Sequence, residues 1–298
     1  MSSLDGRHDR EPERNPNVSK VYDLVTDRIL AQLAAGVIPW QRPWSSFGAP
    51  RSAVTGKTYR GINVWLLAGL PYLEPRFLTF KQALDLKGNV RKGEKGQMVI
   101  FWSDHSRDKE QEPTKRHAPI LRYYTVFNAE QCEGLTLAPL DAHEKPQPLA
   151  AAERIITGMP KAPCITHDGG EKAYYRPSAD TVHLPPLAAF ASAEGYYSTA
   201  FHELGHSTGH ASRLDRHGME TGIAPFGSPV YSREELAAEF CAAYLCATAG
   251  IEQTIPNSAA YIQSWLRALS DDRTMAVIAA GQGQRAADYI LGTDPAAP

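Results

Sequence analysis

The chain has 298 residues, 43% hydrophobic and 21% charged, which suits one large or two ordinary globular domains and excludes a chain that is disordered throughout. Its net charge of −2 gives no global case for nucleic-acid binding, and its longest apolar run, GINVWLLAGLPYL, is broken by Pro71 and too short to span a bilayer. The charge is uneven, however: residues 1–130 carry 20 Lys and Arg against 14 Asp and Glu (net +6), and the remainder 11 against 19 (net −8), as expected of halves with different partners.

In chain order, residues 1–16 are charged and proline-containing with almost nothing apolar, and read as a disordered tail. Val21, Val25, Ile29 and Leu33 recur every fourth residue and predict a helix from Ser19 to Ala35, stopped by Gly36 and Pro39. QMVIFW (97–102) and LRYYTVFN (121–128) predict two paired strands joined by a long, charged, exposed loop. Residues 139–148 hold three prolines where the charge balance changes sign, so the linker is placed at 137–150. Beyond it come a short helix near 149–157, strand–turn–strand in KAYYRPSADTVHLP, and a helix capped by Ser192 that runs through His206. A loop over 212–231, a helix from Ser232 to about Thr248, and a helix marked by Tyr261, Ile262, Trp265, Leu266 and Leu269 complete the reading. Cys132, Cys164, Cys241 and Cys246 form no C-x-x-C pair, and the polar N-terminus has no apolar signal segment, so reduced thiols in a cytoplasmic protein are expected.

His202-Glu203-Leu204-Gly205-His206 is H-E-x-x-H. On a helix its histidines lie one turn apart and about 40° around the axis, so two imidazoles can reach one ion. Glu203, about 100° from His202, flanks that ion as a general base. Zinc lowers the pKa of water to roughly 7, which gives a nucleophile at neutral pH. Phe201 and Leu204 fall on another side, as a buried supporting face requires. A catalytic zinc takes three protein ligands. His210 is a poor third, since Gly209 is expected to end the helix, and the extended H-E-x-x-H-x-x-G-x-x-H pattern fails because position 212 is Ser. YSREELAAEFCAAYL places Glu235 and Glu239 at i, i+4 on one helix face. One can ligate and the other can orient a histidine. Glu235 is preferred, although Ser232-x-x-Glu235 also reads as a capping box, which would leave Glu239 to ligate. Glu234 reads as solvated surface.

The first half interleaves basic and aromatic residues in IPWQRPW, TYRGINVW, TFKQA, VRKGEKG and QMVIFW. Single-stranded nucleic acid is gripped by such mixtures, with cations on phosphates and rings on bases. Trp40, Trp44, Tyr59 and Tyr124 are the candidates for stacking, and Arg42, Arg60, Lys81, Arg91, Lys92 and Lys95 for phosphate contact. Gly93 and Gly96 would let backbone approach a phosphate. Trp65, Phe101 and Phe127 read as core.

VYDLVTDRILAQLAAGVIPWQRPW, YRGINVWLL, FLTFKQA and VRKGEKG resemble the N-terminal domain of ArdC-type antirestriction proteins. HELGHSTGH, RLDR and YSREELAAEFCAAYL resemble the zincin-type metallopeptidase domain that follows it, so the resemblance runs from about residue 18 onward. It implies an α+β chain of two domains: a single-stranded DNA-binding domain at 17–136 and a gluzincin-type metallopeptidase domain at 151–298. It further implies a plasmid-borne protein that protects incoming DNA from host restriction during conjugation. Under it His202 and His206 are ligands, Glu203 is the general base and the glutamate helix is the third-ligand source. Zinc is the default ion, with manganese able to use the same ligands. The expected partners are single-stranded DNA and a host restriction or DNA-associated protein as protease substrate, with no membrane. Two other readings stand beside it. In one, a non-proteolytic protein coats single strands around a structural metal, a reading that leaves Glu203 without a task. In the other the chain is a replication accessory, for which no acidic cluster suited to two-metal chemistry is found.

Overall fold

A computed structural model describes residues 16–41, 48–103, 120–140, 147–167, 170–216, 229–251 and 259–293. Residues 1–15 of the expected tail, residues 104–119 of the expected loop and residues 141–146 of the linker lie outside these, while Pro16, placed in the tail by the sequence, opens the first helix. The first helix, α1 (Pro16–Ala34), buries the predicted stripe, with Val25, Ile29 and Leu33 fully enclosed, and Gly36 ends it at φ +75°. After a 3-10 turn at Pro39–Gln41 come β1 (Arg51–Ser52), α2 (Ile62–Ala68), β2 (Arg76–Leu78), α3 (Phe80–Asp85) and β3 (Asn89–Val90). The apolar run too short for a membrane is therefore α2, which buries Ile62, Val64, Trp65, Leu66 and Leu67. α3 opens on a capping box between Thr79 and Gln82.

The two predicted strands are β4 (Gln97–Ser103) and β5 (Ile120–Asn128), antiparallel from Gln97↔Val126 to Ser103↔Ile120. They form one side of a four-stranded sheet ordered β1-β2-β5-β4, while β3 pairs with β6 (Cys132–Glu133). The second half holds α4 (Pro148–Gly158) and a three-stranded sheet of β7 (Cys164–Thr166), β8 (Tyr174–Arg176) and β9 (Thr181–His183), ordered β7-β9-β8. Four helices follow: α5 (Ala193–Ser207), α6 (Pro229–Ala249), α7 (Ala259–Asp271) and α8 (Met275–Ile290). The fold class is thus α+β, as expected.

One continuous core joins the halves. Val21, Ile29, Trp40, Trp65 and Leu121 belong to the same buried cluster as Phe201, Leu204, Phe240 and Trp265. α1 packs on α7 and α8, and Thr26 Oγ1 donates to Arg273 O at 2.6 Å. The Trp65 indole N–H donates to Tyr244 Oη at 3.0 Å, and that hydroxyl donates to Gly61 O at 2.7 Å. Among the described residues no helix is long and apolar enough to cross a membrane.

Candidate metal centre

Ser192 caps α5, its hydroxyl accepting from Gly195 N at 3.1 Å, and the helix carries His202, Glu203 and His206 to its C-terminal end. Phe201 and Leu204 are fully buried and fix the helix to the core. Gly205, between the histidines, lets α6 come close: a Cβ there would lie 3.2 Å from Cys241 Cβ and 3.3 Å from Ala238 Cα. A glycine inside a helix costs about 1 kcal/mol relative to alanine, and this approach is what it gains.

α6 begins at Pro229, not at Ser232, so Ser232 lies inside the helix and the Ser232–Glu235 capping box is not formed. Glu235 instead faces α5. Its carboxylate oxygens lie 3.5 Å from His202 Nε2 and 3.5 Å from His206 Nε2, and the two Nε2 atoms are 3.0 Å apart. These three residues form the group of potential ligands found among the described residues. Tetrahedral zinc with bonds of about 2.1 Å sets its ligand atoms roughly 3.4 Å apart, so the three donors fit one small divalent ion. Glu239, one turn further along α6, bonds Tyr261 and is not in this group. His210 bonds Ser212 at 2.8 Å instead of joining the site. Glu203 is buried beside the histidines.

The charges are coupled. Burial works to lower His202, but the hydrogen bond to Glu235 and the charges of Glu239, Glu203 and Glu235 outweigh it and hold the imidazole well above its ordinary range. Burial works to raise Glu235, but the His202 hydrogen bond, both histidines and the Tyr231 hydroxyl hold it well below its range. Glu239 is raised, chiefly by burial. Tyr231, one turn before Glu235, is pushed up to about 12 by burial and by its bond to Glu235.

Glu234 corrects the sequence reading: it is mostly buried, not solvated surface. Its Oε1 lies 3.3 Å from His206 Nδ1, and Arg216 grips it with Nε to Oε2 at 3.1 Å and Nη2 to Oε1 at 2.5 Å. Burial works to raise the Glu234 carboxyl, but His206 and the guanidinium hold it below its ordinary range. Glu234, Arg216 and Tyr231 were missed as site residues. The visible signal was the RLDR segment just beyond the histidines.

The nucleic-acid candidates fare differently. Trp40 is 1% exposed, edge-on to Phe240 at 5.1 Å and Trp265 at 6.3 Å, so it is core and no base can stack on it. Tyr59 is half-buried against Phe77, which removes it as an open platform. Arg60, whose side chain is half exposed, pairs with the buried Asp288 of α8 and so ties the halves together. Gly96 packs under Thr125 and Phe127, which closes its approach to a ligand. Arg42 and Trp44 lie outside the described residues. Lys81, Lys92 and Lys95 are exposed, as is Arg91, which bonds Glu94 at 2.8 Å. Tyr124 is 44% exposed and touches Phe101, whose own 43% exposure corrects its reading as core. Trp102 and Tyr123 are exposed on the same pair of strands.

A family model described as a zincin-like metallopeptidase matches residues 150–282, and one described as the N-terminal domain of the anti-restriction factor ArdC matches residues 19–127. The chain is 38% identical over 293 residues to a DNA primase TraC of Escherichia coli, aligning 91% of itself with 27% of that protein, and 37% identical over 290 residues to another, with 20% of it covered. It therefore spans about a quarter of one TraC primase and a fifth of the other. It is 35% identical to the protein y4eC of Sinorhizobium fredii, covering 93% of itself and 94% of that protein. Two solved structures of the antirestriction ArdC protein from the R388 plasmid, one metal-free and one Mn(II)-bound, match 91% of the chain with a TM-score of 0.73. They are 40% and 39% identical to it and are covered over 96% and 97% of their own length.

Proposed function

We propose a function from the premise that this chain belongs to the ArdC family of antirestriction factors, its second half a zincin-like metallopeptidase domain. The chain is a metal-dependent peptidase that binds single-stranded DNA without strong sequence preference and protects incoming plasmid DNA from host restriction during conjugation. The observation that carries this reading is the convergence of His202, His206 and Glu235 next to the buried Glu203.

His202 and His206 through Nε2, and Glu235 through its carboxylate, are the residues that would hold the ion. Glu235 is preferred over Glu239 because only its oxygens lie within reach of both imidazoles. A divalent cation there, zinc by default or manganese, supplies Lewis acidity that polarises a carbonyl and acidifies water. Glu203 takes the proton that water gives up as its oxygen attacks the peptide carbon, and returns it to the amide nitrogen as the C–N bond breaks. Tyr231 steadies Glu235 through its hydroxyl. The substrate is read as a host restriction or DNA-associated protein.

Single-strand binding falls to the exposed part of β4 and β5. Phe101 and Tyr124 present adjoining rings, Arg122 lies across from Phe101, and Lys92 and Lys95 precede the strand. Stacking on such rings is worth about 1–3 kcal/mol per base.

The test is transfer of an unmodified plasmid into a restricting recipient. Glu203→Gln is expected to bind metal like the wild type and to lose protection. A Phe101→Ala/Tyr124→Ala double variant is expected to lose single-strand affinity and protection together. Full protection by Glu203→Gln would instead support a coating protein with a structural metal.

A further inference from the structure

The RLDR segment stands just beyond the metal motif, and nothing in the proposed chemistry uses it. Its arginines are the best-bonded cations near the site. Arg213 donates to Ser207 O at 2.8 Å, to Lys161 O at 2.9 Å and to Asp180, pinning the end of α5 to the β7–β9 layer. Arg216 faces the other way. Its side chain is 8% exposed; it donates to Gly205 O at 2.9 Å, to Thr208 Oγ1, and to both oxygens of Glu234. One guanidinium thus holds the last turn of α5 and a carboxylate of α6 in a fixed relation. The carboxylate so held is the one 3.3 Å from His206 Nδ1.

We propose that Arg216 and Glu234 are positioning residues for His206, setting its ring orientation and tautomer and thereby the affinity of the site for a divalent ion. A carboxylate at Nδ1 keeps the proton on that nitrogen and leaves the Nε2 lone pair toward His202 and Glu235. A carboxylate alone on a flexible side chain would rotate. The fork of a guanidinium takes both oxygens at once and removes that freedom. Arg216 is thus the far end of a chain guanidinium–carboxylate–imidazole whose last atom, His206 Nε2, would be a metal donor.

This inference rests on the metal-centre reading above, and the experiment separates the two. The probes are Zn(II) in competition with a chromophoric chelator and Co(II) by visible absorption. They are applied to the full chain, to Arg216→Gln, to Glu234→Gln and to the double variant, with far-UV circular dichroism and thermal midpoint as controls for folding. Loss of such an outer partner typically costs about 10–100-fold in metal affinity. Each single variant is expected to fall in that range and to shift the Co(II) band. The double variant is expected to lose no more than the worse single one, because Arg216 acts through Glu234. If the variants are less stable but bind Zn(II) within about threefold of the wild type, or if the losses multiply, the inference is overturned while the metal centre stands. If the wild type binds neither ion, the metal-centre reading falls and this one with it. Should a Gln variant fail to fold, Arg216→Lys carries the test, since it keeps the charge and loses the fork. Tenfold weaker binding supports the proposal, and unchanged binding overturns it.

Discussion

Two glycines in α8, two residues apart, should respond in opposite directions to the same substitution. A Cβ on Gly283 would lie 2.6 Å from Phe240 Cβ, 2.7 Å from Ala237 O and 2.9 Å from Cys241 N, all on α6. Carbon atoms pack at about 3.5–4.0 Å, so α8 would have to retreat from α6 by roughly 1 Å. Overpacking of this kind costs about 1–3 kcal/mol, and here the obstacles include backbone, which cannot swing aside as a side chain does. Backbone obstacles place the penalty in the upper part of that range, about 2–3 kcal/mol, and alanine gains about 1 kcal/mol of helix propensity over glycine, so Gly283→Ala should lose a net of about 1–2 kcal/mol. A Cβ on Gly281 meets nothing within 4 Å. Gly281→Ala should therefore keep the propensity gain and be stabilised by about 0.5–1 kcal/mol. The assay is urea unfolding followed by far-UV circular dichroism, with the slope required to match the wild type before midpoints are compared. The two variants should differ by about 1.5–3 kcal/mol. A Gly283→Ala protein as stable as Gly281→Ala would refute the claim that α8 is held against α6 by the absence of a side chain.

Trp40→Ala should act on stability before it acts on DNA: truncating a fully buried tryptophan costs about 3–5 kcal/mol. The thermal midpoint should fall by at least about 6 °C, with the folded protein's affinity for an oligothymidine unchanged; an unshifted midpoint with lost affinity would restore it as a stacking ring. The pH behaviour follows from the opposed shifts of His202 and Glu235. A raised imidazole stabilises the metal-free fold fully below its ordinary 6.5 and loses that contribution as pH rises through the higher folded value. A depressed carboxyl contributes above its ordinary 4.5 and loses its contribution as pH falls. Together they favour the metal-free protein most between these two values. At pH 7 an entering ion must expel the His202 proton, so Zn(II) titrations in buffers of different ionisation enthalpy should report about one proton released, with affinity rising about tenfold per pH unit. No proton release would show that His202 is neutral without metal.

Much of the site was legible because it is built from local periodicity. The stripe of α1, the Ser192 cap, the facing histidines and the turn that separates Glu235 from Glu239 each depend on residues within a few positions of one another. What was not legible depends on partners far along the chain. Trp40 and Tyr124 sit in similar basic and aromatic surroundings, and only the packing of Phe240 and Trp265 against one of them makes it core. Glu234 lies about 100° around α6 from Glu235 and looked solvated, because the arginine that encloses it arrives from residue 216. α8 escaped notice entirely. Its buried face is mostly alanine and glycine (Ala276, Ala279, Ala280, Gly283, Ala286 and Ala287), too weakly apolar to stand out in the sequence, and at Gly283 the reason for the missing side chain is the closeness of α6.

The unbroken interior shared by the two matched regions has a consequence for anyone who would separate them. A cut near the linker leaves α1 without α7, and Trp65 without the Tyr244 hydroxyl that receives its N–H. Either piece would carry a greasy scar where its neighbour had been. A nicked chain should therefore travel as one particle until denaturant is added, and a shortened gene product should be sought first among insoluble material.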